Sequence, residues 1–403
     1  MPLCFLYFTL LSEKLLSLKK KKVKVMSKEC IVGSYYFPNY HVDPRNEKVH
    51  GHGWSEWELV KSAKPRFDGH FQPKVPLWGY LDEADPLVME KKIDTCADYG
   101  IDYWIFDWYW YDDGPFLERC LEKGYMGAKN NERVKFCCMW ANHEWQNIHP
   151  MKMRDMHETL YHGKVSQKTY ETLTDYVVEK YFKHPSHFMI DDCPYFSIYE
   201  LGTLVESFGS VDATRIALDR FRSKTKASGF KDLHLNAVVW GRPILPGEST
   251  PSDPAQLLKD LGFDSVTSYV WIHHVHLSQS PITDYEYVRD RYFDYWDEVE
   301  TKYNIPYYPN VTMGWDSSPR TIQSDMWDPS VGYPFTNLMG NNTPDAFKKA
   351  LEMTKARLDR RKGSKIFNIN CWNEWTEGSY LEPDTVNGMA YLEAVKKVMG
   401  DNQ

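Results

Sequence analysis

The sequence carries no phosphate-binding signature. Neither GxGxxG nor GxxxxGK followed by Ser or Thr occurs in its 403 residues. Nucleotide chemistry on an open doubly wound sheet therefore lacks its usual glycine-rich anchor after the first strand, where this chain reads GSYYFPNY. No CxxC pair and no regular spacing relates the eight cysteines, Cys4, Cys30, Cys96, Cys120, Cys137, Cys138, Cys193 and Cys371. Most sit among apolar residues, which fits reduced, buried thiols rather than a disulfide framework or a zinc site. Positive charge is in deficit: 48 Lys and Arg against 56 Asp and Glu give a net charge of -8. That leaves no electrostatic footprint for nucleic acid, and it argues against an anionic substrate unless a local basic pocket overrides it. The apolar run LCFLYFTLL at residues 3–11 is too short to span a bilayer. After residue 26 there is no Gly/Ser linker, low-complexity stretch or charge block, and hence no domain boundary.

What the chain has in excess is aromatic surface: 15 Trp, 27 Tyr and 19 Phe. A core does not need that many indoles, each with an N–H to satisfy. Trp and Tyr do suit sugars, packing on pyranose C–H faces and bonding hydroxyls at their polar tips. Apolar residues at 42% and charged residues at 26% describe an ordinary globular composition.

Eight short apolar runs rich in β-branched and aromatic residues read as strands: Cys30–Phe37, Tyr103–Trp108, Lys135–Trp140, Tyr195–Tyr199, His234–Trp240, Ser265–Trp271, Tyr307–Met313 and Lys365–Trp372. Helical periods separate them, roughly at 85–99, 166–183, 211–227, 253–261, 284–303, 344–361 and 387–399, with a weaker one at 116–123. Asp85-Pro86 starts the first as N-cap and first helical residue, and Tyr99-Gly100 stops it. Eight strand–helix alternations, with strands apolar on both faces, predict an α/β fold: a single-domain (β/α)8 TIM barrel with long βα loops.

In such a barrel function sits at the strand ends. Strand one ends in Tyr35, Tyr36 and Asn39, strand two in Asp107, Trp108, Tyr109 and Trp110, and strand three in Trp140, Asn142, His143, Glu144 and Trp145. Strand five ends in Trp240 and Arg242, strand six in Tyr269, Trp271, His273 and His274, and strand seven in Trp315 and Asp316. A lone Trp is usually packing and a lone Asp often a helix cap. Their joint occurrence at one face points to a site.

The densest segment follows strand eight: Trp372, Asn373, Glu374, Trp375, Thr376, Glu377 and, further on, Glu382. Glycoside cleavage needs two carboxyl groups about one anomeric centre, one kept protonated by its surroundings. Glu374 and Glu377 are the candidates, Trp372 and Trp375 can supply an apolar wall, and Asn373 can bond a hydroxyl or orient a carboxylate. A second segment, His50-Gly-His-Gly-Trp-Ser-Glu-Trp57, contains a His-x-His pair. No third ligand is evident for a metal, so Trp54, Glu56 and Trp57 read better as an aromatic and acidic loop closing over a sugar.

These segments resemble the WbsX family, described as glycosyltransferase WbsX or glycoside hydrolase family 99-like proteins. The resemblance is carried by YYFPNYH (35–41), GWSEWELVKSAKPRFDGHFQPKVPLWGY (53–80), DYGIDYWIFDWYW (98–110), CMWANHEW (138–145) and NCWNEWTEGSYLEPD (370–384), and covers nearly the whole chain after Met26. The last is also similar to the motif of family 99 endo-α-mannosidases, which implies a retaining reaction. Glu374 would act as base on the sugar 2-hydroxyl, giving a 1,2-anhydro sugar, and Glu377 as general acid and base at the glycosidic oxygen. Tyr36 and Tyr269 are implied partners of the reacting sugar by position on the barrel. The aromatic subsites differ, so mannose specificity and endo action do not carry over.

The resulting expectation is a glycoside hydrolase acting on an α-linked oligosaccharide or polysaccharide, without cofactor or metal. Catalysis falls to Glu374 and Glu377. Substrate contacts are expected from Tyr36, Trp54, Glu56, Trp57, Asp107, Trp110, Trp140, Asn142, Glu144, Tyr269, Trp271, His273, Trp315, Asn373, Trp375 and Glu382. The alternatives are a glycosyltransferase or transglycosylase in surface-polysaccharide assembly, discriminated by dependence on a nucleotide-sugar donor, and an inactive carbohydrate-binding barrel.

The apolar run at 3–11 has no positive region before it, the basic run Lys19–Lys22 comes after it, and no small-residue cleavage site follows. Met26 opens SKECIVGSYYFP, which reads as a natural start. Residues 1–25 are expected to be a non-native or disordered extension and 26–403 the catalytic barrel, with a degenerate signal anchor as the alternative. The expected location is the cytoplasm, or the periplasm if the start is mis-assigned. N-terminal sequencing of natively expressed protein is expected to begin at or just after Met26; an intact mass including Met1 would overturn this.

Overall fold

The computed structural model describes residues 30–153 and 158–400, so the expected extension over 1–25 lies outside the described residues. Eight parallel strands form the centre: β1 (Ile31–Tyr36), β2 (Tyr103–Tyr111), β3 (Lys135–Trp140), β4 (Cys193–Ile198), β5 (His234–Val238), β6 (Ser265–Thr267), β7 (Tyr307–Tyr308 with Asn310–Thr312) and β8 (Ile366–Asn370). From β1 to β6 each strand pairs with the next, and β8 pairs with β1. The ring closes through β7, whose first piece pairs with β6 and whose second pairs with β8. Pro309 lies between the two pieces. It has no N–H to donate to a ladder, but its carbonyl still accepts from Asn368 N at 2.9 Å. The fold is the (β/α)8 barrel.

Ten helices accompany the described strands. Two short ones, α1 (Pro44–His50) and α2 (Trp57–Ser62), ride the long loop after β1, before α3 (Pro86–Asp98). The others are α4 (Gln167–Tyr176), α5 (Leu201–Phe208), α6 (Val211–Ala227), α7 (Pro254–Leu261), α8 (Tyr285–Lys302), α9 (Pro344–Leu358) and α10 (Ala390–Met399). The Asp85 side chain accepts from Leu87 N ahead of Pro86, the cap expected from the sequence. The weak helical signal after β2 becomes a single π turn, Cys120–Tyr125. Among the described residues no helix is long and apolar enough to cross a membrane, and six of the seven cysteines are buried.

Alternation along the strands sorts side chains into two layers. Tyr35, Tyr103, Ile105, Cys137, Met139 and Tyr195 pack inside the barrel. Tyr36, Trp104, Phe106, Trp108, Trp110 and Trp140 pack outward with the helices. The interior is partly polar: Tyr103 donates to Asn368 Oδ1 at 2.6 Å, and Asn368 Nδ2 donates to Thr267 at 3.0 Å. Gly33 makes room for this crossing, because a Cβ there would lie 2.4 Å from the Tyr103 ring.

Beneath the end of β8, Lys92 of α3 is wholly buried between Glu83 and Glu382, 2.6 Å from each. Burial opposes its charge, but the two carboxylates more than offset this and raise its pKa. Tyr36 donates to Glu83 at 2.8 Å, as does Asn373 Nδ2. The indoles of Trp372 and Trp375 donate to the two oxygens of Glu382 at 3.0 and 2.8 Å. The chain after β8 is therefore tied to α3 through one ammonium. Lys92→Met is expected to cost about 3–5 kcal/mol in urea denaturation, because two buried carboxylates lose their counter-charge. Adding Glu83→Gln and Glu382→Gln is expected to recover part of that loss; no recovery would show that packing, not charge, dominates.

Candidate active site

Strand alternation and one tight turn bring the key carboxylates to the C-terminal mouth of the barrel. Asn373 first clamps β8 to β1: Phe37 N donates to its Oδ1 at 2.8 Å and its Nδ2 donates to Phe37 O at 2.7 Å. Glu374 follows, then a 3-10 turn, Trp375–Glu377, closed by Gly378 at φ 66°. A Cβ on Gly378 would meet Asp316 backbone N at 3.0 Å, so that turn needs glycine both for its φ and for space. The turn brings Glu374 and Glu377 to one guanidinium. Arg320 Nη2 lies 2.6 Å from Glu374 Oε1, and Arg320 Nη1 lies 2.6 Å from Glu377 Oε1.

Arg320 also holds a third carboxylate. Its Nε donates to Glu56 Oε1 at 3.0 Å, its Nη1 donates to Tyr333, and its ring of charge lies 5.2 Å from the Phe37 centroid. Tyr333 in turn donates to Glu377 at 2.8 Å. Glu56, Arg320, Glu374 and Glu377 are all buried. One cation among three carboxylates leaves excess negative charge in a poorly solvated place. Burial pushes the Glu374 carboxyl well above the usual range, with Arg320 opposing and Glu377, Glu56 and Asp107 adding to the rise. Burial raises Glu377 too, against Arg320 and the Tyr333 hydrogen bond. The pair titrates as a unit, and it retains a proton more readily than free glutamates do.

The two glutamates form one wall of a cleft whose other walls are largely aromatic: Phe37, Tyr109, Trp145, Tyr199, Tyr269 and Tyr333. Asp107 on β2 accepts from Tyr269 at 3.1 Å; its Oδ1 is buried with no partner among the described residues, and burial raises its pKa well above the usual range. That oxygen is an unmet hydrogen-bonding group beneath the cleft wall. His149 stacks on Trp145 at 5.0 Å, and burial together with Arg320 keeps its imidazole neutral. Glu144 lines the cleft and accepts from Gly163 N at 3.2 Å. Glu248, on the loop after β5, accepts from Tyr199 at 2.5 Å and from Leu245 N at 2.8 Å, fixing Leu245 and Pro246 at the cleft edge.

Of the residues expected from sequence, Glu374, Glu377, Asp107, Glu144 and Tyr269 line the cleft. The rest do not line it. Tyr36, Trp110, Trp140 and Trp271 have the wrong strand parity or direction and lie in the outer layer. Asn373, Trp375 and Glu382 belong to the scaffold under the motif, and Trp57 packs on Tyr40 and donates to Leu81 O at 2.8 Å. Asn142 exchanges hydrogen bonds with the Glu200 backbone at 2.7 and 2.8 Å. Glu56 sits behind Arg320, and His273 lies 3.6 Å from Glu248, outside the cleft lining. Trp54 stacks on His50 at 4.2 Å, and Trp315 lines a neighbouring cavity. In the His-x-His segment His52 is fully exposed and paired with Glu47, and no group of three potential ligands is arranged to hold a metal among the described residues.

Arg320, Tyr333, His149 and Tyr199 carry no motif and escape a reading by segments. The one signal for Arg320 was electrostatic: a buried acidic pair requires a cation.

Replacing Arg320 by Leu removes the charge that lowers both glutamates. A carboxyl whose folded pKa is raised above its unfolded value contributes stability at low pH that is lost as pH rises through the folded value. Arg320→Leu is therefore expected to cost about 3–5 kcal/mol at pH 8 and clearly less at pH 5, measured by urea denaturation. An equal loss at both pH values would contradict this.

The family described as Glycosyltransferase WbsX matches residues 32–395. Two curated relatives, each named uncharacterized protein WxcX and drawn from two strains of Xanthomonas campestris pv. campestris, ATCC 33913 and B100, are 25% identical over 382 residues. The match takes in 91% of this chain and 49% of theirs, so the chain spans about half the length of the curated relatives it matches. Among solved structures, the GH99 endo-alpha-mannosidase from Bacteroides thetaiotaomicron superposes with a TM-score of 0.51 at 16% identity, covering 91% of this chain and 95% of that one. A structure described as a glycoside hydrolase-like protein gives 0.56 at 14% identity, covering 93% and 94%. At these identities the structural likeness establishes the shared barrel, and the sequence match over nearly the whole described chain establishes kinship: the chain belongs to the WbsX glycosyltransferase family.

Proposed function

We propose that this protein is a glycoside hydrolase that cleaves an α-linked glycan with retention, using Glu374 and Glu377. The observation that carries the reading is the pair itself: two buried carboxyls on neighbouring nitrogens of Arg320, beside an aromatic cleft. Burial and mutual repulsion let the pair hold one proton and offer one base, the division of labour that glycoside cleavage needs. Following the resemblance to family 99, Glu374 takes the proton of the sugar 2-hydroxyl as O2 closes on the anomeric carbon. Glu377 gives its proton to the departing glycosidic oxygen. In the second half Glu377 removes a proton from water as it opens the 1,2-anhydro ring, and Glu374 returns its proton to O2. Tyr333, bonded to Glu377 at 2.8 Å, and Arg320 position the acid. Asp107 and Tyr269 supply hydrogen-bonding groups for sugar hydroxyls, and Trp145 and Tyr109 supply stacking faces.

The family's description favours a second reading, transfer from a nucleotide-sugar by the same pair. The two part on one assay: reducing-end release from α-mannosides, α-rhamnosides, α-glucosides and bacterial surface polysaccharides. Wild type is expected to turn over at least one of them, with Glu374→Gln and Glu377→Gln each slower by roughly 10²–10⁴-fold. Activity that appears only when a nucleotide-sugar is added would replace hydrolysis by transfer. Glu377→Gln is expected to slow poor leaving groups far more than activated ones; equal slowing of both would remove it as the acid.

The raised carboxyls also set the pH profile. Activity needs one glutamate ionised and the other protonated. With both pushed upward, the rising limb of kcat/KM is expected above the ordinary glutamate value of about 4.3. A rising limb at or below that value would mean that the pair is not the titrating unit.

A further inference from the structure

A second cavity of about 220 Å³ opens beside the cleft, and the two share Tyr333. Its other walls come from the loop after β5 (Arg242, Pro243 and Ile244), the loop after β6, and Trp315 with Thr336 and Asn337. Ile244 borders this cavity while the next residues, Leu245 and Pro246, border the cleft, so a single loop divides the two. The volume is below the roughly 300–1,000 Å³ of sites for drug-sized ligands and suits one sugar unit.

Its charge is unlike that of the cleft. The cleft is lined by Asp107, Glu144, Glu374 and Glu377 against the single cation Arg320. The second cavity has Arg242 in its wall and no Asp or Glu. Every acceptor close to Arg320 is a committed partner, whereas Arg242 makes no hydrogen bond or ion pair among the described residues, although it is half-buried. Partial burial accordingly lowers its pKa from the usual arginine range with no carboxylate to counter it. Holding an unpaired guanidinium in a partly desolvated wall is unfavourable, and its planar fork matches carboxylate and phosphate oxygens. A second, independent feature lies in the same wall. Asn337 Nδ2 donates to Leu277 O at 2.9 Å, but its buried Oδ1 has no partner among the described residues. A guanidinium with no counter-charge in a cavity wall, beside an unmet amide oxygen beneath it, is what an acidic sugar would satisfy.

We propose that this cavity is a subsite for a saccharide unit bearing a negative charge, a carboxylate or a phosphate, with Arg242 as its counter-ion. The proposal rests on the reading that Glu374 and Glu377 act on a glycan, and it adds that the glycan is acidic. Tyr333 then serves both sides, its hydroxyl on Glu377 and its ring between the charged unit and the reacting one. The chain's net charge of -8 disfavours non-specific attraction of an acidic polymer, so charge-dependent binding would have to be local.

The test measures binding separately from turnover, by affinity gel electrophoresis of the full chain carrying Glu377→Gln. The probes are uronic-acid-containing bacterial surface polysaccharides before and after carboxyl reduction, and phosphate-bearing ones before and after dephosphorylation. Retardation by at least one acidic polymer is expected, weakened about 10- to 100-fold when its charge is removed. The pair that responds identifies carboxylate or phosphate as the source. Arg242→Gln is expected to show the same weakening towards the acidic polymer, and Arg242→Lys to retain part of the affinity. Equal retardation by charged and neutral forms, or unchanged binding by Arg242→Gln, would overturn the proposal. So would Arg242-dependent binding of UDP-glucose with none of the acidic polymers, which would give the cavity to a nucleotide donor. Failure of the hydrolysis reading looks different: no reducing ends are released by wild type while charge-dependent retardation persists.

Discussion

A single guanidinium shared by three buried carboxylates governs the chemistry of this barrel. Arg320 bonds Glu56, Glu374 and Glu377 at once. Its charge permits carboxylates to exist in so dry a place, and its inability to balance all of them keeps a proton among them. In the proposed reaction, acid and base would arise from one shortage of positive charge. A lysine there would supply the charge without the rigid fork that directs each glutamate to its own nitrogen.

A second buried cation supports the first from below. Lys92 binds Glu83 and Glu382, and through them Asn373, Trp372 and Trp375 are tied to the helix that follows the first strand. Much of the motif after β8 is therefore devoted to placing two residues. Asn373 clamps the first strand, the two indoles clamp Glu382, and Gly378 turns the chain away. Aromatic density divides in the same way. Trp104, Trp108, Trp110 and Trp140 fill the layer between barrel and helices, while the rings that reach the cleft are mostly tyrosines and a few loop residues.

The barrel was legible in the sequence because period, caps and strand spacing all pointed to the same alternation. Cys30–Phe37 and Lys365–Trp372, read from apolar runs, enclose the observed Ile31–Tyr36 and Ile366–Asn370. The short helices at Pro44–His50, Trp57–Ser62 and Leu201–Phe208 were not legible, whereas Pro254–Leu261, no longer than the last of these, was read where Asp253-Pro254 marks its start. At the site, local density named Glu374, Glu377 and Asp107, which line the cleft, together with Tyr36, Trp110 and Trp140, which pack in the outer layer. Parity explains the division: Asp107 points inward, so Trp108 and Trp110 cannot both be outward-packed neighbours and cleft residues, and Tyr35 rather than Tyr36 shares its side. Arg320 and Tyr333 come from the long segment after β7, where no periodicity or motif marks them, and only the folded chain shows what they neutralise.

The interrupted seventh strand has a structural meaning. Everywhere else around the ring one continuous strand serves both of its neighbours, but at Pro309 the ladder passes from one short piece to the next. The ring stays bonded across that joint through the Pro309 carbonyl, which accepts from Asn368 N. Arg320 hangs from the chain that leaves this joint. The glutamates follow the neighbouring eighth strand, which pairs with both β1 and β7. Cation and carboxylates thus arrive from adjacent strands, and it is the closure of the ring that brings them together.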